Sequence, residues 1–444
     1  MKKITLTLIL TVALTTVLSA QTTYYVDASL STGNDDGSSW ANAFYSAAQV
    51  QRAIDNAAAN DIIKIASGSH TNGETTIQLD KTLTIEGGYD TSSDTRTGFT
   101  TLSGEDARRV MVIPSAITPT LSYLKIENGG SNEGSGVNIT AAASPVFNNV
   151  EFNNNESTQH GGAVSCAANS DASPQFNNVV FSDNSATSNA GALRLTSGSS
   201  AVLKNVVFSG NSGTNGGAIF IAASSNLTIS FTNTVFANNT GSRSGAIDCN
   251  LNGVNGGTMN LTNCTFYGNT GDSGAIYFGN KKPVANINNT VFYGNTNGDG
   301  TSNISANTAY LDNVTGSNVF AYEGTASAFG SKFTNYSKLS ADPFVNSADP
   351  NGADDIFATF DDGLYPKSAD ALHNAGSDAL TAESFDIVGQ TRIVQTIDIG
   401  AYENQATLSV AALDSSAGVA IYPNPVKEIL YTNVNVEKIE VYTT

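Results

Sequence analysis

Between residues 121 and 318 the apolar positions recur in long blocks, not at a single helical or strand period. A Phe followed three residues later by Asn stands at Phe152/Asn155, Phe181/Asn184, Phe208/Asn211, Phe236/Asn239, Phe266/Asn269 and Phe292/Asn295, with Phe-to-Phe spacings of 29, 27, 28, 30 and 26 residues. Five residues before each Phe the chain is apolar (Phe147, Phe176, Leu203, Phe231, Leu261, Ile287), and three before it Asn appears every time, from Asn149 to Asn289. Between the blocks runs a Gly-Ala-apolar step at Gly162, Gly191, Gly217, Gly245 and Gly274. Such a period means stacked units, none of which buries its apolar face alone.

Each position can be given a direction. Side chains alternate along a strand, so the residues two and four past each Gly point inward. These are Val164, Leu193, Ile219, Ile247 and Ile276, then Cys166, Leu195, Ile221, Cys249 and Phe278. The Asn before each Phe reads as a bend in the left-handed region, stacked coil on coil into an internal side-chain ladder. The Asn after each Phe forms a second ladder at the next corner. Three short strands per coil in parallel stacking predict an all-β fold, a right-handed parallel β-helix solenoid.

The flanks read differently. Met1-Lys2-Lys3, an apolar run over 4–18 and Ser19-Ala20 predict a signal peptide over residues 1–20, hence export. No later run is long enough to span a bilayer. Helical spacing at Ala47, Val50, Ala53, Ile54 and Ala57 predicts a helix over 47–59 that caps the solenoid within residues 21–118. Strands are expected at 62–66, 75–79 and 82–85. The repeats fill 119–320, and a closing module at the far end of the solenoid fills 321–404. A linker over 405–418 precedes a last segment, 419–444.

Several of these stretches resemble known families. Tyr25-Val26-Asp27-Ala28, Asp35-Asp36-Gly37-Ser38-Ser39-Trp40, Asp61-Ile62-Ile63 and Gly87-Gly88-Tyr89 resemble the N-terminal part of secreted pectate-lyase-like β-helix proteins. The paired Phe-x-x-Asn and Gly-Gly-Ala-Ile motifs resemble the repeats of chlamydial-type polymorphic outer-membrane proteins, which implies a surface passenger region. Asp342-Pro343-Phe344, Asp386-Ile387-Val388-Gly389-Gln390-Thr391-Arg392 and Asp398-Ile399-Gly400-Ala401-Tyr402-Glu403 resemble the choice-of-anchor Q module. Ile421-Tyr422-Pro423-Asn424-Pro425-Val426 resembles the start of a type IX secretion sorting domain, here truncated at Thr444. That resemblance implies the type IX machinery as partner and a secreted or outer-membrane surface location.

Composition narrows the function. The formal charge of −19 argues against nucleic acid or an anionic membrane as partner and suits neutral polysaccharide or divalent cations. Three cysteines make no disulfide framework. Cys166 and Cys249 lie three coils apart, ~14 Å, too far to bridge, and Cys264 is likewise inward. The catalytic sets of polygalacturonase-like hydrolases are missing, since His160-Gly161-Gly162 lacks the leading Gly and Arg392-Ile393-Val394 lacks the Lys. His70 and His373 read as isolated.

The outward row three past each Gly is Ser165, Arg194, Phe220, Asp248 and Tyr277, an aromatic and charged strip suited to sugar rings and hydroxyls. Arg194, Phe220, Asp248 and Tyr277 are the candidate ligand-binding residues, and Tyr267 and Tyr293 would extend the surface. Asp349, Asn351, Asp354 and Asp355 form an oxygen-rich loop able to take calcium, the sole cofactor considered. The chain therefore reads as a monomeric, non-catalytic surface protein for adhesion or glycan binding, to a polysaccharide or a host or cell surface. The alternative is a polysaccharide lyase or glycoside hydrolase.

Overall fold

The structure, a computed structural model, describes residues 20–405 except 72–74, 168–169, 197, 223–226, 252–256, 280–282, 298–299, 302, 306–311, 323–329 and 369. It also describes the antiparallel strand pair Ile421–Tyr422 and Tyr431–Thr432. The predicted signal peptide over 1–20, except Ala20, and most of the expected linker and sorting segment lie outside the described residues.

Three parallel sheets wind around one core. The long sheet runs in order from Thr23–Val26 to Phe333–Lys338, the Gly-Ala sheet from Ile77–Gln78 to Ile304–Ser305, and a short corner sheet from Gly130–Glu133 to Thr240–Gly241. Register is kept from coil to coil. Phe152 pairs with Phe181, Phe181 with Phe208, Phe208 with Phe236, Phe236 with Phe266 and Phe266 with Phe292. Their buried rings stack at centroid distances of 4.8, 4.7, 5.1, 4.6 and 4.7 Å. The chain is a parallel β-helix, as its repeat predicts.

The Asn after each Phe is the interior fastener. Asn155, Asn184, Asn211, Asn239, Asn269 and Asn295 are fully buried. The Oδ1 of Asn239 accepts from the backbone N–H and the Nδ2 of Asn211, at 3.0 and 2.9 Å. Its own Nδ2 donates to Asn269 Oδ1 and to the carbonyl of Phe208, both at 2.9 Å. One amide thereby satisfies buried groups in the coils on both sides, where an unpartnered group costs ~1–3 kcal/mol.

The Asn before each Phe takes the expected left-handed bend, with φ of 46–55° from Asn149 to Asn289. Its ladder, from Asn178 Nδ2 to Asn149 Oδ1 at 3.3 Å onward, is not internal. At Asn149, Asn178 and Asn205 it edges the outer surface, because a bend turns the side chain away from the core. Only from Asn233 on is it buried, under the C-terminal module.

The glycines of the Gly-Ala step mark where coils nearly touch. A Cβ on Gly217 would lie 2.1 Å from the carbonyl oxygen of Gly245, and one on Gly245 2.2 Å from that of Gly274. At the N-terminal end the helix Gln49–Asn56 buries Val50, Ala53 and Ile54 against the first strands. Lys81 Nζ donates to the carbonyls of Ile54, Asp55 and Ala57 at 2.9, 3.0 and 2.9 Å, closing the helix C-terminus. The helix is shorter than the 47–59 expected, since Ala48 takes a left-handed φ of 57° and Ala57 an extended one.

Residues 339–405 do not close the far end of the solenoid. They dock on the outer face of the long sheet, where the row just before the Phe stack changes from Glu151 to Val180, Val207, Val235, Thr265, Val291 and Phe320. Phe344, Leu364, Leu372, Ile387, Ile399 and Tyr402 pack over that apolar stripe. Ala401 N donates to Thr265 Oγ1 at 3.0 Å, and Gly400 N to the carbonyl of Asn289 at 3.0 Å. An outward apolar row needs a cover, and this module supplies it.

Three substitutions test these roles. Asn239→Ala should lower unfolding free energy by roughly 3–4 kcal/mol, whereas Asn178→Gly, which keeps the bend and loses only two exposed bonds, to Asn149 and from Asn205, should cost less than ~1 kcal/mol. Gly217→Ala should cost roughly 2–3 kcal/mol by forcing two coils apart. Urea unfolding of the full chain reads all three.

Candidate functional site

The predicted outward strip exists as a row of backbone partners. Asn138, Ser165, Arg194, Phe220, Asp248 and Tyr277 pair in succession along the Gly-Ala sheet. It is not open along its length. The turns before it carry Glu133 and His160, paired in their own row, against Ser165 and Arg194. Ser165 and Asp248 are fully buried, while Phe220 and Tyr277 stay half-buried. The expectation of a flat exposed strip is corrected at Asp248. The Asp248 side chain is fully buried, with Arg243 and Asn250 as its partners.

Two charged centres occupy the cleft. In the first, the Arg194 guanidinium pairs with Glu133, and Ser165 Oγ donates to Glu133 Oε1 at 3.0 Å. Arg109 donates to the backbone carbonyl of Glu133 through Nε and Nη2, at 3.0 and 2.6 Å, fixing the turn that aims the carboxylate. His160 stands beside this pair, and burial first, then the charge of Arg194, pull its pKa down, so it is neutral at pH 7. Its Nδ1 and Arg194 Nε are buried without a partner.

In the second centre Arg243 pairs with Asp248, and Asn250 Nδ2 donates to Asp248 Oδ1 at 2.6 Å. The Arg243 guanidinium lies 5.0 Å from the centroid of the Tyr277 ring. Burial raises Asp248 to about 6, although Arg243 pulls it back. Sequence reasoning missed Glu133 and Arg109 as parts of the site. They come from the variable turn before the Gly-Ala step, where no repeat position announces them.

Tyr267 and Tyr293 do not extend this cleft. They end adjacent strands of the long sheet, stack at 6.4 Å, and meet Phe344 edge-on at 6.1 and 5.7 Å under the C-terminal module. The three cysteines are free and buried, and burial raises each thiol to about 12, so none is a nucleophile. His70 is buried, with Nε2 3.1 Å from the carbonyl of Ala66.

In the oxygen-rich loop, Asp354 Oδ1 accepts from Ile356 N at 2.8 Å, and Asp361 Oδ2 from Asp354 N at 3.2 Å. Among the described residues no three His, Cys, Asp or Glu side chains converge as a metal site, and Asp349, Asn351, Asp354 and Asp355 are spread along the turn.

The ordered motifs at the end of the chain form a core of charges instead. Arg392, Asp386, Asp398 and Glu403 are fully buried, and His373 Nδ1 lies 3.1 Å from Asp398 Oδ1, so His373 is not isolated. Glu403 accepts from Val394 N and Asp398 N at 3.2 and 2.9 Å, and Asp386 from Gln390 N and Glu403 N at 2.8 and 3.0 Å. Burial lifts Glu403 to about 8 and Asp386 and Asp362 to about 6.

With fold and cleft in place, likenesses to known proteins can be weighed. The Chlamydia polymorphic membrane protein repeat matches at residues 149–167 and 205–222. The crystal structure of pectate lyase Pel9A aligns at 15% identity over 87% of this chain and 97% of its own, with a TM-score of 0.47. The PL6 family alginate lyase AlyGC aligns at 12% identity over 73% of this chain and 54% of its own, with a TM-score of 0.25. No curated protein matches the chain. No helix among the described residues is long and apolar enough to cross a membrane.

The buried carboxyls predict a pH dependence. Their folded pKa values lie above the unfolded ones, so the folded state keeps protons that the unfolded chain releases. That contribution is full below pH ~4 and is lost as pH rises toward 8. The thermal midpoint should be higher at pH 5 than at pH 8.5, and Glu403→Gln should flatten the part of the slope between pH 6 and 8.

Proposed function

We propose that the chain is a secreted, surface-attached β-helix protein that holds a neutral polysaccharide in the cleft beside the Gly-Ala sheet and does not cleave it. The observation that carries this is the pairing of the cleft's charges. Arg194 is engaged by Glu133 and Arg243 by Asp248, which leaves Phe220 and the Tyr277 face opposite Arg243 as the groups offered to a ligand. A uronate chain would need a free cation, and the charge of −19 repels it. Phe220 and Tyr277 are two coils apart, ~9.6 Å, a span that suits rings two units apart in a pyranose chain.

In this reading residues 1–20 direct export and residues 419–444 engage the type IX machinery. The surface role accords with the Chlamydia polymorphic membrane protein repeat that part of the chain matches. Binding of the full chain to neutral and anionic polysaccharides tests the ligand class. Phe220→Ala and Tyr277→Ala should each weaken neutral-chain binding roughly five- to tenfold, about 1–1.4 kcal/mol. Release of reducing ends or unsaturated products that disappears in Arg194→Ala or Asp248→Ala would show an enzyme instead.

A further inference from the structure

A second cavity lies apart from the cleft, in the module on the long sheet. It is an open depression of about 360 Å³. Its walls include Val345, Phe360, Asp362, Tyr365, Gln390 and Gln405. Three features set it apart from an ordinary surface dent.

First, Phe360 and Val345 are 60% and 58% exposed, an apolar rim among the described residues. Second, two polar atoms of its walls, Tyr365 Oη and Gln390 Oε1, are buried and have no hydrogen-bond partner. Each such atom costs ~1–3 kcal/mol unless something else meets it. Third, the frame behind them is rigid. The Tyr365 ring packs 5.0 Å from that of Tyr402, and Tyr402 Oη donates to Asp362 at 2.6 Å. Gln390 N is held by Asp386 Oδ1 at 2.8 Å.

The chemistry of the walls selects a ligand. Gln390 Oε1 asks for a donor, such as a hydroxyl. Burial, followed by the charges of Asp386, Asp362 and Asp361, raises the Tyr365 phenol above its ordinary value, so it remains a neutral donor. The same carboxylates disfavour an anion. The exposed Phe360 ring offers a face for the C–H side of a sugar ring. We propose that this cavity is a subsite for a neutral pyranose unit, held by Tyr365 Oη and Gln390 Oε1 against Phe360. It shares a ligand class with the cleft but stands on separate residues, and binding at both would raise avidity without any new contact.

Titration calorimetry of the full chain with cellohexaose, laminarihexaose, xylohexaose and mannohexaose tests it, with hexagalacturonate as the anionic comparator. Tyr365→Phe removes only the unpartnered hydroxyl, so its thermal midpoint should not move, and Gln390→Ala removes the amide that carries the unpartnered Oε1. Each should weaken one binding event five- to tenfold and leave any event sensitive to Phe220→Ala and Tyr277→Ala untouched. If the cleft reading fails and this one holds, a single event remains, weakened in Gln390→Ala and indifferent to Phe220→Ala. The proposal is overturned if no neutral hexasaccharide binds, if hexagalacturonate binds better, or if both cavity variants bind as the parent does.

Discussion

The fold depends on one interaction repeated over six successive coils: a buried Asn amide that bonds to the coils on both sides of it. A β-helix must bury its corners, and a corner breaks the regular backbone ladder. The run from Asn155 to Asn295 supplies at that break the donors and acceptors the backbone lacks. The Phe stack and the close Gly contacts follow from the same constraint. Once Asn sets the coil-to-coil distance, flat rings at 4.6–5.1 Å fill the interior. A side chain at Gly217 would no longer fit.

Much of this was legible in the chain because a repeat reports the same position many times over. Inward rows, the left-handed Asn and the register of the outward strip all follow from aligning the blocks with one another. What lay outside the repeat was harder to read. Val180, Val207, Val235 and Val291 do carry a signal, an apolar residue just before each Phe on the face expected to meet solvent. Its meaning appears only when a cover is known to exist. Asp248 was misjudged for a related reason: alternation gives a direction, but a loop can fold back across it. Glu133 and Arg243 sit in those loops, whose sequences differ from coil to coil.

The C-terminal motifs show the converse case. Asp386, Arg392, Asp398 and Glu403 look like chemistry in sequence, being charged and closely grouped, yet the structure buries them as a hydrogen-bonded core. Desolvation there is met by backbone N–H groups and by keeping Glu403 protonated, a cheaper solution than three bare carboxylates around one guanidinium. The module then presents Gly400 and Ala401 to the sheet. Loud residues build the frame, and the groups left free to bind are few and irregularly placed.

The central claim is that ligand recognition lies in positions that vary between coils, while the recurring ones hold the frame. Hydrogen exchange of the full chain, with and without a neutral polysaccharide that it binds, tests this most directly. The account predicts that added protection is confined to the cleft segments around Glu133, Arg194, Phe220 and Tyr277 and to the cavity around Tyr365 and Gln390. Protection centred on the outer face of the long sheet between Glu151 and Lys204, or spread evenly over every coil, would contradict it.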